Sequence, residues 1–188
     1  DVLGSRGLGD VYKRQEIDPA SSFGTGQHNT TKLCLELLED SIKPGDRLLD
    51  LGCGSGILSI GGMLLGAHEA AAVDIEENAV STSIRNALKN NISMEKYHAY
   101  CGNIISDIAL RNTLGSNYDI ITANIVADIL IAMSELFKKF LKPEGLIIIS
   151  GIITERKTEV IKIVTSCGFE VIKEAESDGW AAVLLKVV

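Results

Sequence analysis

The apolar positions of the chain fall into short solid runs separated by longer amphipathic stretches. RLLDL at 47–51, EAAAVDI at 69–75, YHAYC at 97–101, YDIITANI at 118–125 and LIIIS at 146–150 are too short for helices. They lack the strict alternation of a sheet with one wet face, and so read as strands covered on both sides. The stretches between them carry apolar residues at helical spacing. They predict helices over 31–38, where Leu33, Leu37 and Leu38 share a face, and over 55–65, 76–89, 127–140 and 155–166. KPGD at 43–46 and KPEG at 142–145 are turns leading into strands, and Gly168 is placed to cap the last helix. Two late strands, 169–173 and 180–187, are separated by polar turn residues and predict an antiparallel hairpin.

Strands alternating with helices specify an α/β fold: a Rossmann-like, doubly wound, mostly parallel seven-stranded sheet ending in a C-terminal antiparallel hairpin. The late hairpin departs from the pattern of a dinucleotide dehydrogenase. Residues 1–15, DVLGSRGLGDVYKRQ, have no period. Their ending resembles a translated adapter or vector leader, and they are read as a non-native leader, with a frayed native terminus as the alternative. Residues 16–188 are expected to form one folded unit.

Composition narrows the class. At 188 residues and 46% hydrophobic, the chain has the length and apolar content of one globular domain. No apolar run reaches bilayer-spanning length and no signal sequence is visible, so a cytoplasmic protein without a membrane partner is expected. Cys34, Cys53, Cys101 and Cys167 include no CxxC pair and read as reduced thiols, with no metal site expected. The net charge of −7, with no Lys/Arg run, disfavours nucleic acid as the direct substrate and favours a basic protein or a small molecule. A monomer is favoured.

The chemistry centres on LLDLGCGSG at 48–56. An apolar run ends at Asp50, glycines follow at 52, 54 and 56, and an apolar helix begins. A backbone without Cβ atoms lets a nucleotide-like ligand approach, and the helix N-terminus offers N–H donors. The spacing is GxGxG, not the GxGxxG of dinucleotide folds, because position 57 is Ile. Asp74 ends the second strand, where a carboxylate can accept from both hydroxyls of a ribose. Asp50 suits an α-ammonium group and would be unwelcome beside a pyrophosphate. Together they favour S-adenosyl-L-methionine over NAD.

The order DxGxGxG followed by a strand-end acid resembles the class I S-adenosylmethionine-dependent methyltransferases. FGTGQHNTT (23–31), LDLGCGSGILSI (49–60), VDIEENAV (73–80), ANI (123–125), LKPEGLIIISGI (141–152) and a late Gly179-Trp180 resemble one family within them, the ribosomal protein L11 methyltransferases (PrmA). The resemblance implies a cofactor-covering loop and helix at 16–45 and a catalytic class I domain at 46–188. It implies methyl transfer to lysine or α-amino nitrogens of a large-subunit ribosomal protein. It further implies cofactor contacts from Phe23, Thr30, Asp50, Gly52, Gly54, Asp74, Asn103 and Asn124, with Asn124 beside the reacting methyl.

Plainer alternatives stand beside these roles. Thr30 could be a helix N-cap, Phe23 loop packing, Asn103 a turn residue and Asn124 a strand-end hydrogen-bonder. His28 reads as a structural hydrogen-bonder. Departures from the family's pattern are Ala20-Ser21-Ser22 before the loop, and Gln27 and Asn29 within it. The family also carries a separate N-terminal substrate-recognition domain, and no stretch of this sequence reads as one. Alternative functions are methyl transfer to another amine, a cofactor-binding fragment, or an NAD-dependent oxidoreductase, against which GxGxG and Asp50 count.

Overall fold

The structure, a computed structural model, describes residues 28–188. Residues 1–27, among them Phe23, the 1–15 segment and the loop stretch 16–27, lie outside the described residues. In chain order the elements are α1 (Asn29–Ser41), β1 (Arg47–Leu51), α2 (Ile57–Leu65), β2 (Glu69–Asp74), α3 (Glu77–Lys89), β3 (Tyr97–Cys101) and α4 (Ile108–Leu114). They continue with β4 (Tyr118–Asn124), α5 (Ala127–Phe140), β5 (Leu141–Ile153), α6 (Thr154–Ser166), β6 (Phe169–Ser177) and β7 (Trp180–Val187).

All seven strands form one sheet in the order β3-β2-β1-β4-β5-β7-β6. The first five are parallel. β7 enters between β5 and β6 and runs antiparallel to both, which is the expected terminal hairpin. The strand order reverses between β1 and β4, and in open α/β sheets such a switch point opens the crevice where ligands bind.

The strands sort their side chains by alternation. Leu48, Ala70, Ile120 and Ile148 point to one face, where α1, α2 and α3 cover them with Leu35, Leu38, Ile60 and Ala87. Leu49, Ala71, Ile121 and Ile147 point to the other, covered by Leu114 of α4, Phe137 of α5 and Val164 of α6. A chain buried on both faces must be apolar at every position, which explains the unbroken runs in the sequence.

Three boundaries differ from the sequence reading. α4 was not predicted: it is a single short helix, started by the Asp107 side chain accepting from Leu110 N–H. β5 begins at Leu141, so the predicted turn at 142–145 lies within the strand as an irregularity, with Glu144 at φ 61°. β6 continues to Ser177 because it stays paired with β7 as far as Trp180. The last helix is capped by Cys167, and Gly168 follows at φ 90°, the conformation a glycine beyond a helix end supplies. Among the described residues, no helix is long and apolar enough to cross a membrane.

Candidate functional site

β1, β2 and β4 end side by side, and the residues at or just beyond their C-terminal ends form the site. Gly52 has φ 73° and its N–H donates to Val73 O at 2.8 Å, so the chain turns sharply while still tied to β2. A Cβ at Gly52 would run into Cγ2 of Ile125, so the turn packs directly on the end of β4. Gly56 has φ 81° and a Cβ there would lie 2.8 Å from both Ser83 Cβ and the Tyr97 hydroxyl. Glycine at both positions is thus required by backbone conformation and by space.

Asp74 fastens this turn. Its Oδ2 accepts from Gly54 N–H at 2.9 Å and its Oδ1 from Glu76 N–H at 3.1 Å. Each oxygen has received one donor, and a carboxylate offers about four acceptor positions, so capacity remains for two hydroxyl donors. The donor and acceptor set therefore fits a ribose diol.

Asp50, next to the end of β1, lies deep in the fold. It is 1% exposed. Its Oδ2 accepts from Ser59 N–H at 3.1 Å and its Oδ1 from the Thr122 hydroxyl at 2.8 Å. It lies beneath the glycine turn and joins β1, the first turn of α2 and β4. Burial and two internal donors give it a positioning part beneath the turn. Burial raises its pKa from 3.8 to about 6, against the lowering effect of the Thr122 and Ser59 hydrogen bonds; the charge of Asp74 adds a smaller upward push.

Asn124 ends β4, and its Nδ2 donates to the Thr31 hydroxyl at 3.3 Å. That leaves its side-chain carbonyl available as an acceptor. Thr31 is 2% exposed and was not singled out in the sequence. Its neighbour Thr30 bonds locally, its hydroxyl 2.9 Å from His28 Nδ1. The α1 N-cap is His28, whose side chain accepts from Thr30 N–H, so Thr30 is not the cap. The only prior signal for Thr31 was its adjacency to Thr30 in the TT pair; the link to Asn124 spans 93 residues.

The turn between β6 and β7 clamps this corner. The Trp180 ring meets the His28 ring edge-on with centroids 5.0 Å apart, and Asn29 Nδ2 donates to Asp178 Oδ2 at 2.8 Å. Asn103 is exposed and uses its Oδ1 to accept from Ile105 N–H at 2.9 Å, the bond of a turn residue. It stands beyond β3 at the same edge as Asp74, since Gly102 N–H donates to Asp74 O.

Two of the thiols, Cys34 and Cys53, are buried. Burial raises the Cys34 thiol to about 12 and also raises Cys53 well above the ordinary range, so both stay protonated. Among the described residues no group of three His, Cys, Asp or Glu side chains is gathered to hold a metal ion. The geometry suits binding and orientation by a preformed cradle, with the reactive group brought by the ligand.

Comparison with known proteins agrees. Residues 14–187 match the model of the family described as ribosomal protein L11 methyltransferase (PrmA). The chain is 42% identical to the ribosomal protein L11 methyltransferase of Lachnoclostridium phytofermentans over 91% of this chain and 56% of that one. It spans about half the length of the curated relatives it matches. Among solved structures, the ribosomal protein L11 methylase of Lactobacillus delbrueckii subsp. bulgaricus superposes with a TM-score of 0.81 at 26% identity, covering 97% of this chain and 91% of that one. A putative methyltransferase, SMU.776, solved with SAH, shares the fold at a TM-score of 0.73 and 13% identity, covering 85% of this chain and 50% of that one. The glycine turn, the strand-end acid and the Asn124 corner thus sit in a Rossmann-like class I methyltransferase fold, and the chain belongs to the ribosomal protein L11 methyltransferase family.

Proposed function

We propose that this chain is the cofactor-binding and catalytic unit of an S-adenosyl-L-methionine-dependent protein N-methyltransferase. Its substrate in this reading is ribosomal protein L11, methylated on lysine or α-amino nitrogens. The observation that carries the reading is the hydrogen bond from Asn124 Nδ2 to the Thr31 hydroxyl, beside the Gly52 turn. With Nδ2 engaged, the amide keeps Oδ1 as an acceptor at the end of β4.

When bound, S-adenosylmethionine supplies an electrophilic methyl on a sulfonium, a good leaving group. The chain's residues have three tasks. Asp74 accepts the ribose hydroxyls with its remaining acceptor positions, while holding the turn through Gly54 and Glu76. Gly52 and Gly54 give a backbone surface against which the ligand lies without Cβ interference. Asn124 accepts an N–H of the substrate amine and aims its lone pair along the transfer line. Burial of the amine favours its neutral form. No strong base is needed for that step, and His28 is engaged as a cap.

Asp50 acts from below, keeping Ser59 and Thr122 in register so that the turn stays preformed. Thr30 and Asn103 are assigned contacts with the cofactor, beside the local bonds their side chains make. Phe23 is assigned to cover the ligand and lies outside the described residues. Calorimetry with S-adenosylhomocysteine and with NADH tests the cofactor. Binding of the first alone is expected, and binding of NADH alone would overturn the reading. Transfer of labelled methyl to purified ribosomal protein L11 tests the substrate.

A further inference from the structure

Most exposed large apolar side chains of the described residues are scattered, but three gather next to Asn124. Val126 is 62% exposed, Ile129 43% and Ile153 41%. Val126 lies two residues beyond Asn124 as the N-cap of α5, and Ile129 is in the first turn of that helix. Ile153 ends the neighbouring strand β5 and faces Trp180 in the β5–β7 register. The two strand ends are tied by Ile125 N–H donating to Ser150 O at 3.1 Å. The starts of α5 and α6 are tied by Arg156 and Asp128 at 2.6 Å.

The border of this patch is acidic. Arg156 is shared between Asp128 and Glu159, and Lys157 between Glu174 and Glu176, so each cation faces two carboxylates. Glu155 and Asp178 are exposed on the adjoining turn and helix start, and Thr154 N–H donates to Gly179 O to bring those two segments together. An apolar floor with an excess of negative charge around it suits a cationic chain segment that carries an apolar side chain.

We propose that Val126, Ile129 and Ile153 form the seat for a basic, lysine-bearing segment of the protein substrate. An apolar residue near the target amine rests on the three branched side chains, and the segment's other cations face the acidic border. This rests on the protein-methyltransferase reading above, and it adds the surface that presents the amine to Asn124.

The test uses the full chain with ribosomal protein L11 as the methyl acceptor. Val126→Ser with Ile129→Ser should raise KM for the acceptor about tenfold, with kcat and S-adenosylhomocysteine affinity within about twofold of wild type. Leucine at both positions should restore KM. Glu155→Lys should raise KM and flatten its dependence on salt. Ile172→Ser, an exposed apolar residue on β6, should leave KM unchanged. An unchanged KM in the serine variant would overturn the proposal. So would a fall in homocysteine-compound affinity in its place, since the patch would then be covered by the chain's own residues on the cofactor side. Wild-type chain that binds S-adenosylhomocysteine but methylates no L11 would instead remove the substrate reading, and this surface with it.

Discussion

Asn124 Nδ2 donates to Thr31 Oγ1 at 3.3 Å, tying the end of β4 to the first turn of α1 across 93 residues of chain. The bond does two things. It holds α1 over the sheet edge, where Ser150 Oγ also reaches Thr30 O at 3.4 Å. It also engages the NH₂ end of the Asn124 amide, and only the carbonyl end can receive an amine N–H.

Asn124→Ala is therefore expected to lower kcat for methyl transfer by about a hundredfold, the scale of losing orientation at a reacting centre. S-adenosylhomocysteine affinity should change little, since the variant removes orientation of the amine. Thr31→Val should give a smaller loss of the same kind by freeing the amide to turn over. A kcat for Asn124→Ala within about threefold of wild type would show that the amine is oriented by something else.

Asp74→Asn should act on binding. The carboxylate already accepts Gly54 and Glu76 N–H groups, and the amide loses both a charge and one acceptor side. Charge-assisted hydrogen bonds are worth ~1.5–3 kcal/mol each, so S-adenosylhomocysteine affinity should fall by about tenfold to a hundredfold. Calorimetry measures it directly, and an affinity equal to wild type would remove Asp74 from the ligand site.

Gly52→Ala is expected to cost stability for two separable reasons. An alanine at φ 73° is strained by ~1–2 kcal/mol, and its Cβ meets Ile125 Cγ2. Adding Ile125→Ala should recover the packing part and leave the backbone part. Urea unfolding of the two single variants and the double variant separates the terms. Strictly additive losses would mean that Gly52 and Ile125 do not press on each other.

Much of this was legible in the sequence because burial on both faces writes itself as unbroken apolar runs. β1, β3 and β7 start and stop where the residues RLLDL, YHAYC and WAAVLLKV do, and the glycine turn stands out by composition alone. What escaped was one short helix set by its cap, and contacts distant in sequence. The α4 helix has a weak local pattern and is held by the Asp107 cap and by Arg111 reaching the Ile105 carbonyl at 2.8 Å. Thr31 looked like a copy of Thr30 until its partner 93 residues away was known. The depth of Asp50 escaped as well, because a sequence shows ionisable groups but not their burial.

That depth has a consequence for pH. The carboxyl of Asp50 titrates near 6 in the folded protein, against 3.8 for an ordinary aspartate, with burial as the main cause. The folded state therefore holds its proton more tightly than the unfolded chain does. Between pH 3.8 and about 6 the native state binds more protons, so this group's contribution to stability falls as pH rises through that window and is level above it. At ~1.4 kcal/mol per pKa unit, the fall is about 3 kcal/mol. Asp50→Asn removes the titration. Its amide oxygen can accept from Ser59 N–H, and its NH₂ can donate to a Thr122 hydroxyl turned to receive it. Urea unfolding at pH 4.5 and pH 7.5 should show wild type losing stability to this group across the interval, and the variant lacking that loss. A pH dependence identical in the two proteins would place the Asp50 carboxyl at its ordinary pKa and take away the buried-charge account of why this turn is held so firmly.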